Sequence, residues 1–274
     1  MLVRGCSTAL NALRAKLKGY GSVAVAFSGG IDSTLLLQLA LMCLGPERVL
    51  ALHARSDLPK ESEQARALTW LETLGKRCKL RYLTVDWQPL SIEPIRQNSE
   101  MRCYFCKQHM FSLLQQVREQ HGMAYLLDGS NADDLVEHRP GMRAARELGV
   151  QSPLADASCT KACIRAISRK LGLPTWNIAS ASCLATRIPT NTALSLPHLH
   201  LVARLEAAVE ALGYPGCRVR LHSAQADSAL VELDPLHDNM LQPSVKIRIE
   251  QALMELGIQS VSFQTAAKSR LALR

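Results

Sequence analysis

The chain has 274 residues, 47% hydrophobic and 20% charged, enough for one large α/β domain and a smaller second one of ordinary globular composition. Aromatics make up only 4%, so the core must rest on Leu, Val, Ile and Ala, and stacking platforms for single-stranded bases are scarce, which weighs against a nucleic-acid partner. The formal charge of +8 suits an anionic ligand without choosing which one, and no apolar run reaches the roughly 18 residues of a membrane span.

Residues 1–20 read as an amphipathic helix with polar interruptions at Arg4, Arg14, Lys16 and Lys18, not as a secretory leader, and the expected location is the cytoplasm. The nine cysteines are then expected to stay reduced rather than form a disulfide framework. Residues 21–27 (GSVAVAF) have the pattern of a buried parallel strand, broken by Ser28-Gly29-Gly30. A helix follows over 32–43, a strand over 49–53, a helix over 60–75, a strand over 80–85, a helix over 103–120 and a strand over 125–128. Strands alternating with helices imply a doubly wound α/β parallel sheet, with ligands bound at the carboxyl ends of its strands. Another helix spans 160–171, stopped by Gly172 and Pro174, and 177–197 reads as mostly loop. Helices over 198–212 and 245–256 and strands over 218–222, 229–233 and 261–263 make a small α+β domain, so the expected division is 1–194 and 195–274.

Ser28-Gly29-Gly30-Ile31-Asp32-Ser33 lies between a strand and a helix. The glycines permit a tight turn and close approach, the helix start offers N–H groups to phosphate, and Ser28 and Ser33 add hydroxyls. The Gly-Lys-Ser/Thr ending of the Walker loop is missing. This string resembles the PP-loop of the ATP pyrophosphatase superfamily, whose members cleave ATP between the α and β phosphates and transfer AMP to an acceptor oxygen. The resemblance implies that Asp32 holds Mg²⁺ near the pyrophosphate.

Further motifs narrow the resemblance. They are Arg102-Cys103-Tyr104-Phe105-Cys106-Lys107, Asp128-Gly129-Ser130-Asn131-Ala132-Asp133-Asp134, His138-Arg139-Pro140-Gly141, Ser152-Pro153-Leu154, the segment from Lys161 to Trp176, and Ser182-Cys183-Leu184-Ala185-Thr186-Arg187-Ile188-Pro189. Together they closely resemble the LarE family of pyridinium-3,5-biscarboxylic acid mononucleotide sulfurtransferases, most strongly over 24–188 and more weakly in the C-terminal domain. Members adenylylate a pyridinium carboxylate and convert it to a thiocarboxylate for the nickel-pincer nucleotide cofactor. The resemblance implies that Ser28, Gly29, Gly30, Asp32 and Ser33 bind ATP phosphates, that Ser56 lies near the adenosine, and that Arg102 and Lys107 flank the nucleotide. It further implies that Asp128, Gly129, Asn131 and Asp134 shape the site beyond the fourth strand. Arg187 is expected to face the substrate phosphate or carboxylate, with Arg218 and Arg220 binding phosphate and Glu206 and Glu232 available to a metal. A homo-oligomer is expected by the same resemblance, which leaves the sulfide donor open.

The family supplies sulfur in two ways, from one sacrificed cysteine or from a cluster held by three. Cys103, Cys106 and Cys183 match the three cluster positions, which implies a [4Fe–4S] cluster with one iron open to a sulfide. Sacrifice of Cys183 is the competing reading. Cys159, Cys163, Asn177, Ile178, Thr190 and Asn191 depart from the usual pattern near the substrate loop, so the acceptor is less firmly implied than the reaction type. The alternatives are a tRNA thiolation enzyme of the same superfamily and a non-catalytic nucleotide-binding iron–sulfur protein.

Overall fold

Short apolar runs that alternate faces form the central sheet. The computed structural model describes residues 4–136, 140–178, 182–233 and 242–265. Its elements in chain order are α1 (Arg4–Gly19), β1 (Val23–Ala26), α2 (Ile31–Leu44), β2 (Val49–Arg55), α3 (Glu61–Cys78), β3 (Arg81–Asp86), α4 (Glu93–Arg96), α5 (Arg102–Gln120) and β4 (Tyr125–Leu127). There follow α6 (Ala132–Val136), α7 (Pro140–Glu147), α8 (Pro153–Asp156), α9 (Lys161–Lys170), α10 (Leu196–Ala211), β5 (Arg218–Leu221), β6 (Ser228–Leu233), α11 (Pro243–Met254) and β7 (Ser260–Thr265).

The first four strands are parallel, in the order β3-β2-β1-β4. The period of two sorts their side chains between two cores. Val23, Val25, Val49 and Ala51 join Leu13, Leu17, Leu35 and Leu71 on the face covered by α1, α2, α3 and α9. Ala24, Leu50 and Leu52 join Phe111, Leu114 and Ala145 on the other, under α5 and α7. Helices on both faces make the sheet doubly wound, as expected, and leave its carboxyl edge as the place for a ligand.

The second sheet has the order β5-β6-β7, antiparallel then parallel. Its buried Val219, Leu221, Val231 and Leu233 accompany Leu199, Val202, Leu205 and Val209 of α10. The Ser195 hydroxyl starts α10 by accepting from the His198 N–H at 3.3 Å.

Contacts divide the chain into Met1–Ser56, Glu61–Gln88 and Cys103–Ile178 as one unit, and Asp57–Lys60, Pro89–Arg102 and Ala179–Arg274 as the other. The division thus falls at 178/179 rather than 194/195, and it draws in two early segments. The reason is backbone satisfaction. The loop between Ser182 and Leu196 has little ladder of its own, so Leu184 N–H bonds to Leu58 O at 2.8 Å and Leu194 N–H to Arg96 O at 2.7 Å. Asn98, fully buried with φ of 54°, donates to Pro189 O at 2.9 Å and Ile188 O at 3.2 Å. Asparagine tolerates that left-handed backbone better than most residues.

One expectation is corrected. Cys6 and Cys163 form a disulfide, with Cα atoms 5.1 Å apart and a sequence separation of 157. Helices α1 and α9 share one layer of the core, which brings together two cysteines that sequence spacing keeps apart.

Candidate active site

The phosphate loop is folded on its own hydroxyls. The Ser28 and Ser33 Oγ atoms are 3.1 Å apart, Ser33 Oγ donates to Gly30 O at 3.2 Å, and Ser28 N–H donates to Ser33 Oγ at 3.2 Å. Helix α2 begins after Gly30 with no side-chain cap, so its first N–H groups face the loop for a ligand to use. Gly29 has φ of 75°, and a Cβ placed there would lie 2.5 Å from the Ala67 Cβ of α3. Beyond β4, a Cβ on Gly129 would meet Ser33 N at 3.1 Å. Both glycines therefore let backbone close tightly around the loop.

Asp32, in the first turn of α2, carries two partners from elsewhere in the chain. Lys161 pairs with its Oδ2, and the Asn131 amide reaches its Oδ1 at 3.4 Å. Lys161 is fixed in turn, because its backbone N–H donates to Asp133 Oδ2 at 2.7 Å and Thr160 caps its helix by accepting from Cys163 N–H at 3.3 Å. Asn131 is buried, its side chain accepting from Asp133 N–H at 2.9 Å while its own N–H donates to Asp134 Oδ2 at 3.0 Å. The Asp128 carboxylate is spent on the turn itself, accepting from Ser130 Oγ at 2.6 Å and Ser152 Oγ at 2.7 Å. The structure thus gathers Ser28, Gly29, Gly30, Asp32, Ser33, Gly129, Asn131 and Asp134 at one carboxyl edge. It adds Lys161, whose partnership with Asp32 no motif spacing announces.

Two further residues brace this edge. Buried His53 places Nδ1 2.9 Å from Phe27 O, tying β2 to the residue before the loop. Burial pulls its pKa below the usual imidazole value, the Phe27 bond opposes, and Arg55 adds to the lowering. Ser56 is held by Gln64, whose Nε2 donates to Ser56 O at 2.9 Å.

The Cys-x-x-C pair sits in the first turn of α5. Cys103 is exposed and Cys106 half-buried, three residues apart and so on one helix face. Lys107 lies 4.9 Å from the Phe111 ring centroid, and Gly141 of α7 packs on it so closely that a Cβ would lie 2.9 Å from Lys107 Cγ. His138 and Arg139 lie outside the described residues.

In the second unit, Cys183 precedes a short 3₁₀ turn, Leu184–Arg187. Arg102 donates to Ala185 O at 3.1 Å and pairs with Asn98, so it braces this turn. Arg187 is only 4% exposed. It donates from Nε to Glu206 Oε1 at 2.6 Å and from Nη1 to Thr186 Oγ1 at 2.8 Å, and also bonds to the Ser182 hydroxyl. Fully buried Glu206 further accepts from Lys60 at 2.6 Å and Val219 N–H at 3.1 Å. Arg220 joins Glu232 at 2.9 Å and Thr186 O at 2.6 Å. Glu206 and Glu232 are thus engaged as ion-pair partners, and Arg187 is a buried tie rather than an open anion receptor. Half-buried Arg218 differs, having no carboxylate partner among the described residues. Burial lowers its pKa, Arg187 and Arg220 lower it further, and Glu232 and Glu206 oppose.

The cysteines separate by environment. Burial pushes the Cys159 thiol to about 11. Burial, then the charges of Glu206 and Glu210, push Cys217 to about 12. Both are inert thiols at neutral pH. Cys103, Cys106 and Cys183 are more accessible than these two. Among the described residues no group of three or more His, Cys, Asp or Glu side chains is gathered to hold a metal ion. No described helix is long and apolar enough to cross a membrane.

Residues 5–171 match the PP-loop domain family. The chain belongs to that family, and its loop geometry and family together make it an ATP-using enzyme. Over 258 residues, 91% of this chain and 88% of the relative, it is 36% identical to the pyridinium-3,5-bisthiocarboxylic acid mononucleotide synthase of Lactiplantibacillus plantarum. It is 36% identical over 212 residues, 77% of this chain and 76% of the relative, to an uncharacterised Synechocystis protein. An NH₃-dependent NAD⁺ synthetase of Hyperthermus butylicus shares 42% identity over 73 residues, 26% of this chain and 25% of its own. Within the PP-loop class the chain is accordingly an ATP-dependent sulfurtransferase of the LarE type.

Proposed function

We propose that the chain converts a carboxylate of a pyridinium mononucleotide to a thiocarboxylate, with the sulfur supplied through Cys103, Cys106 and Cys183. The observation that carries the reading is the phosphate loop with Asp32, Lys161 and Asn131 gathered at its helix start. Identity to the Lactiplantibacillus synthase over 91% of the chain supports the choice of acceptor.

An acceptor carboxylate oxygen attacks the α-phosphorus of ATP, the bond to the bridging oxygen breaks, and pyrophosphate leaves. The Ser28 and Ser33 hydroxyls and the N–H groups of α2 hold the departing phosphates. Lys161 stands ready to neutralise their charge. Asp32 is the oxygen ligand that would hold Mg²⁺, which when bound supplies Lewis-acid stabilisation of the pyrophosphate. A sulfide-level sulfur nucleophile then attacks the acyl carbon, the C–O bond to the adenylate breaks, and AMP departs with that oxygen. Cys103, Cys106 and Cys183 are the thiols that would hold a [4Fe–4S] cluster, which when bound would supply sulfide. Arg218, which has no ion-pair partner among the described residues, would receive the substrate phosphate.

The test is anaerobic incubation with ATP and the pyridinium dicarboxylate mononucleotide, with pyrophosphate and product mass measured together. Equimolar pyrophosphate and thiocarboxylate are expected, and both are lost in Asp32→Ala. ATP cleavage without a sulfur-bearing product would overturn the reading. Iron content of about four per chain, lost in Cys103→Ala, supports the cluster route. An iron-free enzyme whose Cys183 loses its sulfur after one turnover replaces it by sacrifice.

A further inference from the structure

The Cys6–Cys163 bridge ends in the same helical turn as Lys161. The chain is anchored by burial on either side of that turn, at Cys159 before it and at Ile164 and Ile167 after it. Residues 160–163 between them are half-buried or exposed, so packing alone does not fix them. They are held by a ring of polar contacts and one covalent bond. Thr160 Oγ1 accepts from Cys163 N–H at 3.3 Å, and Asp133 Oδ2 accepts from Lys161 N–H at 2.7 Å. Asp133 N–H donates to Asn131 Oδ1 at 2.9 Å, and both the Asn131 amide and Lys161 reach the Asp32 carboxylate at the phosphate loop. The bridge fastens this ring to α1, whose Leu10, Leu13 and Leu17 are sunk in the core. Its sulfurs lie at the rim of that core: Cys163 is half-buried, and Gly5, Ser7 and Ala162 beside the pair are exposed.

We propose that the Cys6–Cys163 bridge is a redox switch on the nucleotide site. Closed, it holds Lys161 ready for the phosphates of ATP; opened, it releases that turn and weakens ATP binding. A dithiol reductant opens it by thiol–disulfide exchange. One reductant thiolate attacks a bridge sulfur and the S–S bond breaks, and the second thiolate then resolves the mixed disulfide. Two electrons pass to the bridge, two protons end on Cys6 and Cys163, and the reductant leaves as its own disulfide. An oxidised dithiol closes the bridge by the reverse exchange. The gain in the closed state is preorganisation, because a turn already ordered takes nothing from the binding energy to order it. The proposal rests on ATP being held at the loop and is independent of the acceptor and of the sulfur source.

Its test is nucleotide binding in the two redox states. α,β-Methylene-ATP with Mg²⁺ is titrated by calorimetry into the full chain, oxidised and after treatment with dithiothreitol, and alkylation of the unfolded protein counts thiols by mass. Seven thiols are expected before reduction and nine after it. The oxidised chain should bind the analogue about fivefold tighter, the scale of ordering one long side chain. Cys163→Ser should bind as the reduced chain does in both buffers. In Lys161→Met the two redox states should bind alike, which separates an effect carried by Lys161 from general loosening. Equal affinity in the two states of the parent chain would overturn the proposal, as would nine thiols before reduction or a redox difference that survives in Lys161→Met. Failure of both states to bind the analogue would overturn the nucleotide reading along with it.

Discussion

Lys161 and Asp32 stand 129 residues apart in the chain, and their ion pair decides how the phosphate loop is charged before ATP arrives. A lysine beside a lone aspartate neutralises it, and with pyrophosphate present it gains a more strongly charged partner. Replacing Lys161 with Met should therefore lower kcat/KM for pyrophosphate release about 10²-fold, the scale for losing one preorganised charge on a departing group. Steady-state kinetics on folded protein check this, and an unchanged kcat/KM would make the pair merely structural. His53 allows a pH prediction. Its folded pKa is lowered by burial, so the unfolded chain takes up the proton more readily. The stability it contributes is full above pH of about 6.5 and is lost as pH falls from there through the lowered folded value. Urea midpoints at pH 7.5 and 5.5 should differ less in His53→Asn than in the parent chain.

At the scale of elements, two long-range ties matter. The carboxylate of Glu206, on α10, joins Arg187 of the 3₁₀ turn and Lys60 of the early segment, with no exposure of its own. Removing it leaves two cations without their shared counter-charge, so Glu206→Ala should cost about 3–5 kcal/mol in urea unfolding. The Cys6–Cys163 bridge ties α1 to the first turn of α9, two residues from Lys161. Cys6→Ser should lower stability by about 2–4 kcal/mol in oxidising buffer and make little difference under a dithiol reductant. Equal loss in both buffers would assign the effect to packing rather than to the bridge.

Across the whole molecule, legibility followed the range of the interactions. The four parallel strands and their long helices were readable because each is a local pattern, as in Val23–Ala26 and Ile31–Leu44. The four-residue helices α4 and α8 were not, since one turn shows no periodicity. The phosphate loop was legible as a motif, while its partners Lys161 and His53 were hidden, since a fold rather than a spacing brings them there. The same holds for the disulfide and for the attachment of the 182–194 loop to Asn98. Arg187 was legible as a motif position, while its burial against Glu206 was not, since α10 brings that carboxylate in from later in the chain.

The central claim, attack by an acceptor oxygen on the α-phosphorus, is tested most directly by isotope position. The pyridinium dicarboxylate mononucleotide would be labelled with ¹⁸O in its carboxylates and turned over with unlabelled ATP. If the carboxylate is adenylylated and sulfur then displaces AMP, the released AMP carries one ¹⁸O for each thiocarboxylate formed. AMP free of label, alongside sulfur-bearing product, would contradict the account.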